Sequence, residues 1–188
     1  MSNDPPRFPN RRAAAERNRE KIVAAAREAF GAADGEVSMA QVARQAGVGM
    51  ATLYRNFPGR TELYEAVYVD EVDALCAAAR NDADGTPGDA LDAWLRRFFA
   101  FIPTKRLLVT ELLQGSGTAD PVITGNRERL LEAGEPLLHA AQRSGEIRGD
   151  LDLVQVLDLV VAIARVPGDR AHVEPMLQVV LDGLRTSP

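Results

Sequence analysis

The chain is poor in the residues that build covalent or metal frameworks. It carries one cysteine, Cys76, in 188 residues, which excludes an internal disulfide and fits a reducing compartment. Its two histidines, His139 and His172, are far apart and leave no plausible ligand set for structural zinc, so neither a metal nor a cofactor is expected. No apolar run reaches the roughly 18 residues that a membrane-spanning helix needs, so no membrane partner is expected. The opening stretch MSNDPPRFPNRR has no apolar segment and does not read as a secretory signal. Catalytic patterns are missing too. There is no convincing Ser-His-acid set, glycine-rich phosphate loop or metal-spaced acid cluster, and GSGTAD at 115–120 is a linker without strand context. The expectation is a cytoplasmic protein that is not an enzyme. Lysine is scarce as well, at 2 against 20 arginines, which fits a GC-rich bacterial genome.

What is present is a globular composition, 46% hydrophobic and 26% charged, with an uneven charge distribution. Residues 1–60 hold 10 Lys+Arg against 6 Asp+Glu, a balance of +4, and the remainder holds 12 against 21, a balance of −9. A basic end on an acidic body can be steered end-on towards phosphate, although a balance of this size also fits ordinary surface variation.

Helical periodicity runs almost throughout, and no alternating segment argues for a sheet, so an all-α fold is expected. Residues 13–33 place Ile22, Val23, Ala26, Ala29 and Phe30 on one stripe; residues 38–46 do the same with Met39, Val42, Ala43 and Ala46. Further helices are predicted near 60–80, 89–101, 106–114, 122–144, 152–165 and 173–185, with Pro103 ending or kinking the fifth. Gly and Pro clusters at 84–89, 115–121 and 166–169 punctuate them.

Three helix starts in the first third are well specified. Ser38 and Gln41 match a capping box, with Val37 and Val42 as its staple. Gly49 suits the cap of the next helix, with Val48 and Leu53 as a second staple; Gly59 begins a third start, with Glu62 reaching back. Gly47 suits the left-handed residue that ends a helix. Two short helices, 38–46 and 50–56, joined by Gly47-Val48-Gly49, make a helix-turn-helix. In such a motif the second helix enters the major groove. Ala51, Leu53 and Phe57 are the inward candidates, leaving Met50, Thr52, Tyr54 and Arg55 for the duplex. Thr52 and Arg55 suit bases or phosphates, Tyr54 a phosphate oxygen, and Arg60 a phosphate clamp. Ser38 and the first turn behind it offer a phosphate contact from the other side. Arg11 and Arg12 suit either a minor-groove arm or a loose tail.

The segment VARQAGVGMATLYRNFPGRTEL, inside a stretch of about residues 17–70, resembles the DNA-binding domain of tetracycline-repressor (TetR)-type bacterial transcriptional regulators. Two positions depart from the common pattern: Gly49 stands where many relatives have Ser, and Arg60 where Lys is common. The resemblance implies a flexible arm over 1–12, a three-helix DNA-binding domain over 13–59 and a larger helical ligand-binding and dimerisation domain over 60–188. It implies a repressor that binds a palindromic double-stranded operator as a homodimer, is released by a small hydrophobic ligand, and associates with the nucleoid when bound. The DNA contacts carried over are Ser38, Gly49, Met50, Thr52, Tyr54, Arg55 and Arg60. A pocket is implied in the larger domain, for which Trp94, Phe98, Leu112 and His139 are candidates. The last two helices are apolar on more than one side, which suits a dimer interface through Val156, Val160, Val161, Val179, Val180 and Leu184 as well as a protomer core. The competing readings are a DNA-binding regulator without an effector, and a helical adaptor that binds protein partners.

Overall fold

The computed structural model describes residues 9–32, 37–81, 85–115 and 121–186, with side chains over 13–30, 37–80, 85–102 and 124–186. Among these residues there are eight helices and no strand, as the periodicity requires: α1 (Pro9–Ala32), α2 (Met39–Gln45), α3 (Met50–Asn56), α4 (Arg60–Asn81), α5 (Pro87–Gly115), α6 (Pro121–Arg143), α7 (Leu153–Ala164) and α8 (Arg170–Leu184). The chain forms two compact units that divide inside α4, between Asp70 and Glu71, rather than at the start of that helix. Residues 9–12, read from sequence as part of an arm, have helical backbone in α1; the side chains of Arg11 and Arg12 lie outside the described residues.

The first unit packs α1, α2, α3 and the beginning of α4. The expected stripe of α1, Ile22, Val23, Ala26, Ala29 and Phe30, is buried, as are Val42, Ala43, Leu53, Phe57, Leu63 and Tyr64 further along the chain. Phe30 and Tyr64 stack with ring centroids 4.2 Å apart. Local chemistry fixes the turn. The Ser38 hydroxyl accepts from Gln41 N at 3.2 Å, so the Ser38 half of the expected box caps α2. At its other end Gly47 has φ of 65°, the left-handed conformation predicted for it. Gly47 N donates to Arg44 O at 3.2 Å and Val48 N to Ala43 O at 3.0 Å, which together make a Schellman turn. Gly49 then caps α3 with its carbonyl alone, accepting from Thr52 N and Leu53 N at 2.9 and 3.0 Å. At the third start Glu62 folds back on Gly59, where a Cβ would lie 2.8 Å from Glu62 Oε2.

The second unit contains the end of α4 and α5 to α8. Its centre is Trp94 on α5, fully buried, whose Nε1 donates to Leu75 O of α4 at 3.1 Å. On α6, Gly134 is where the ring needs room: a Cβ there would stand 2.5 Å from Trp94 Cη2. Leu91, Leu95, Leu138, Leu153, Val156, Val160, Leu177 and Leu181 complete the core. One expectation fails here. The segments 89–101 and 106–114 are a single helix that passes through Pro103. A proline removes one backbone hydrogen bond, and that loss does not end a helix whose other turns stay bonded.

The two terminal helices have firm starts. Asp152 and Gln155 form a reciprocal capping box on α7, and the Asp169 carboxylate accepts from His172 N on α8. A clasp joins the α6–α7 turn to the ends of α8 and α5. Ile147 bridges to Arg185, and Thr186 N donates to Glu146 O at 3.0 Å. The Glu146 carboxylate accepts from Gly88 N at 3.2 Å, from Ser144 Oγ at 2.8 Å and from Thr86 Oγ1. Arg185 Nη2 donates to Asp89 at 2.9 Å.

Candidate nucleic-acid interface

α3 is only two turns long, and its sequence sorts it into an anchor and a reading face. Leu53 and Phe57 are buried, so the helix is held from behind, as the spacing predicts. Met50 and Tyr54 are 39% and 47% exposed, high values for such apolar side chains, and both look outward on the turn where Arg55 is exposed and Thr52 half-buried. Ala51, expected to point inward, is exposed. It stands two residues from Leu53, and at about 100° per residue that puts the two on nearly opposite sides of the helix.

Arg55 is folded along its own helix, with Nε donating to Ala51 O at 3.0 Å and Nη2 to Thr52 Oγ1 at 3.1 Å. Asn56 Nδ2 donates to Thr52 O at 2.8 Å, so side chains of the second turn of α3 donate to carbonyls of the first. Ser38 is exposed at the start of α2, its oxygen accepting from Gln41 and its proton left to donate outward. Gly49 is exposed, and a Cβ there would meet nothing within 4 Å, so the missing hydroxyl reflects no steric demand. Arg60 is half-buried rather than extended. Its Nε and Nη2 donate to Tyr64 OH at 3.2 and 2.9 Å, and its guanidinium lies 5.3 Å from that ring. Sequence reasoning missed Arg19, whose guanidinium sits 4.5 Å from the Phe57 ring and adds a third cation beside α3. The contact spans 38 positions, so no local signal announces it.

The other candidates scatter. Trp94 and Phe98 are together, stacked at 6.1 Å, but as tightly buried core. His139 lies on the outside of α6, paired with Glu135 at 3.2 Å, and does not face that core. The Leu112 side chain lies outside the described residues. Of the six interface candidates, Val156, Val160 and Leu184 belong to the interior of their own unit. Each sits on the stripe its helix turns towards its neighbours, with Leu153 and Leu157 on α7 and Val173, Leu177 and Leu181 on α8. Val161 and Val180 are half-buried, and Val179 is 71% exposed. Val154 and Leu159, outside those six candidates, are also exposed.

Residues 22–67 match the family model of bacterial regulatory proteins of the tetR family. Residues 86–186 match that of the C-terminal domain of SbtR-like transcriptional regulators. No curated protein sequence matches the chain. Among solved structures, the TetR transcriptional regulator SCO0520 from Streptomyces coelicolor is 35% identical with a TM-score of 0.71, covering 90% of this chain and 99% of that one. A TetR transcription regulatory protein from Mycobacterium vanbaalenii is 34% identical with a TM-score of 0.71, covering 93% and 99%. The ketosteroid transcriptional regulator KstR2 of Mycobacterium tuberculosis, at 19% identity and a TM-score of 0.56 over 90% and 95%, shares the fold. With a helix-turn-helix built as the motif requires, and such identity over nearly the whole length of two regulators, the chain belongs to the TetR family of bacterial transcriptional regulators.

Proposed function

We propose that the protein is a repressor that binds a palindromic operator as a homodimer and is released by a small hydrophobic ligand. The observation that carries the DNA part is the outward face of α3, where Met50, Tyr54 and Arg55 are exposed while Leu53 and Phe57 anchor the helix. Tyr54, Arg55 and Thr52 meet the duplex; Ser38, Gly49 and Arg60 lie at the flanks, where phosphates run. No described helix is long and apolar enough to cross a membrane, in keeping with a protein that works in the cytoplasm and on the nucleoid.

The homodimer is supported by apolar surface left over on the last two helices. Val154, Leu159 and Val161 on α7, with Met176, Val179 and Val180 on α8, are exposed or half-buried after each helix has filled its own core. A second copy of the chain covers such a face symmetrically, and two α3 helices then read two half-sites. The ligand acts if it binds two states of the dimer with different affinity. α4, continuous from Arg60 to Asn81 and shared by both units, is the element suited to carry that difference.

An effector-free regulator is a second reading, favoured by the filled space around Trp94 and Gly134 and by the outward position of His139. Screening compounds for release of bound operator separates the two readings, and release by any compound excludes the second. The DNA reading is tested by titrating a palindromic duplex at several salt concentrations. Binding that weakens with salt and is lost in the Tyr54→Ala/Arg55→Ala variant supports it. Undiminished binding by the folded variant refutes it.

A further inference from the structure

Arg55 does not reach out from α3 but lies back along it. Its two acceptors, Ala51 O and Thr52 Oγ1, belong to the preceding turn, so the guanidinium is drawn towards the amino end of the helix. That end meets base edges when the second helix of this motif enters the major groove. The two bonds also determine which part of the guanidinium is left. Nε–H and one Nη2–H, the parallel pair on one side of the fork, are taken by the protein. Of the five N–H donors three remain, and they include the pair on the end-on edge formed by Nη1 and Nη2. Thr52 Oγ1, accepting from Arg55, keeps its own proton to donate. Asn56, bonded to Thr52 O, ties the same residue from below.

The pair therefore presents donors. In the major groove guanine offers two neighbouring acceptors, O6 and N7; adenine sets an amino donor beside its N7, and cytosine offers an amino donor. We propose that Thr52 and Arg55 act as one reading unit that selects guanine under the first turn of α3, with the threonine hydroxyl holding the fork in place. This rests on the DNA-binding reading above and adds the base to it. The rival role for such an arginine is a phosphate contact, which carries no sequence information.

The test is selection of duplexes from a random library by the full-length protein, followed by affinity measurements on the selected operator. Each half-site is expected to contain a constant guanine whose replacement by adenine weakens binding about 5- to 150-fold, the range of a good bidentate contact. Arg55→Lys keeps the charge but not the planar fork held by Thr52, so it lowers the guanine preference several-fold while leaving the salt dependence of binding unchanged. Thr52→Val, of the same shape without the hydroxyl, lowers that preference several-fold, and Thr52→Ser restores it. Replacing the guanine by 7-deazaguanine weakens the wild type more than it weakens Arg55→Lys. Melting curves confirm that each variant is folded. A selected operator without a constant guanine overturns the proposal, as does loss of affinity in Arg55→Lys that is equal for every base. If the wild type enriches no duplex at all, the DNA-binding reading falls and this proposal with it.

Discussion

Replacing Gly125 or Gly134 by alanine is the same chemical change on the same helix, yet the two are expected to act differently. Both lie within α6, and removing a glycine from a helix interior stabilises it by about 0.8–1 kcal/mol. Around Gly125 an added Cβ meets nothing within 4 Å, so that gain stands alone. At Gly134 the Cβ would stand 2.5 and 2.9 Å from Trp94 Cη2 and Cζ3 and 3.0 Å from Leu153 Cδ2. Neither neighbour can yield easily. Leu153 is buried, and the buried indole is tethered by its bond to Leu75 O. Overfilling a packed site of this kind costs about 1–3 kcal/mol. Net of propensity, Gly134→Ala is therefore expected to be destabilised by roughly 0–2 kcal/mol. The difference between the two variants cancels propensity and isolates the packing cost. At this chain length that cost corresponds to a Tm about 2–12 °C lower for Gly134→Ala than for Gly125→Ala. Thermal and urea unfolding followed by far-ultraviolet circular dichroism measure it. Equal stability of the two alanine variants would refute the packing argument.

Two further outcomes are expected. The Glu146 carboxyl is held below its usual range by the Thr86 hydroxyl first and by Ser144, and Asp89 below its own by Arg185 first. A carboxyl with a lowered folded pKa contributes stability above its unfolded value, near about 4.3 for glutamate, and loses it as pH falls through the folded value. Glu146→Gln should thus melt below the wild type at neutral pH and approach it in acid; a gap independent of pH would contradict the charge-based account. Val179→Glu puts a charge on the exposed large hydrophobic side chain of α8 and should shift sedimentation towards monomer and weaken operator binding. A dimer unaffected by this change would place the second copy elsewhere.

The helix-turn-helix is legible in sequence because short-range chemistry determines it. A left-handed Gly47, a capping Ser38 and apolar spacing at Val42, Ala43, Leu53 and Phe57 each act within a few residues, and each is found as expected. Ala51 is the exception, misjudged because a small apolar residue carries almost no information about facing. For α7 and α8, periodicity reveals more than one apolar side but not which side meets the chain's own core. That choice, made by tertiary packing, turns Val156, Val160 and Leu184 inward and Val179 outward. The clasp between Glu146, Thr86 and the residues after α8 joins segments scores of positions apart, so no local pattern could disclose it. Likewise the Trp94 bond to Leu75 and its fit against Gly134 exist only once three helices have met.

That buried tryptophan has an optical consequence. It is the sole indole in the chain, and it lies in the second unit, packed away from solvent. Its emission therefore reports on the environment of that unit alone, whereas far-ultraviolet dichroism sums the helices of both. Recording the two signals on one unfolding curve is then a direct measure of cooperativity between the units. Coincident transitions mean that the helix-turn-helix and the larger unit unfold together, and separated ones mean that they unfold independently. The natural sequence thus contains a site-specific probe, and following one half of this regulator requires neither a label nor a substitution.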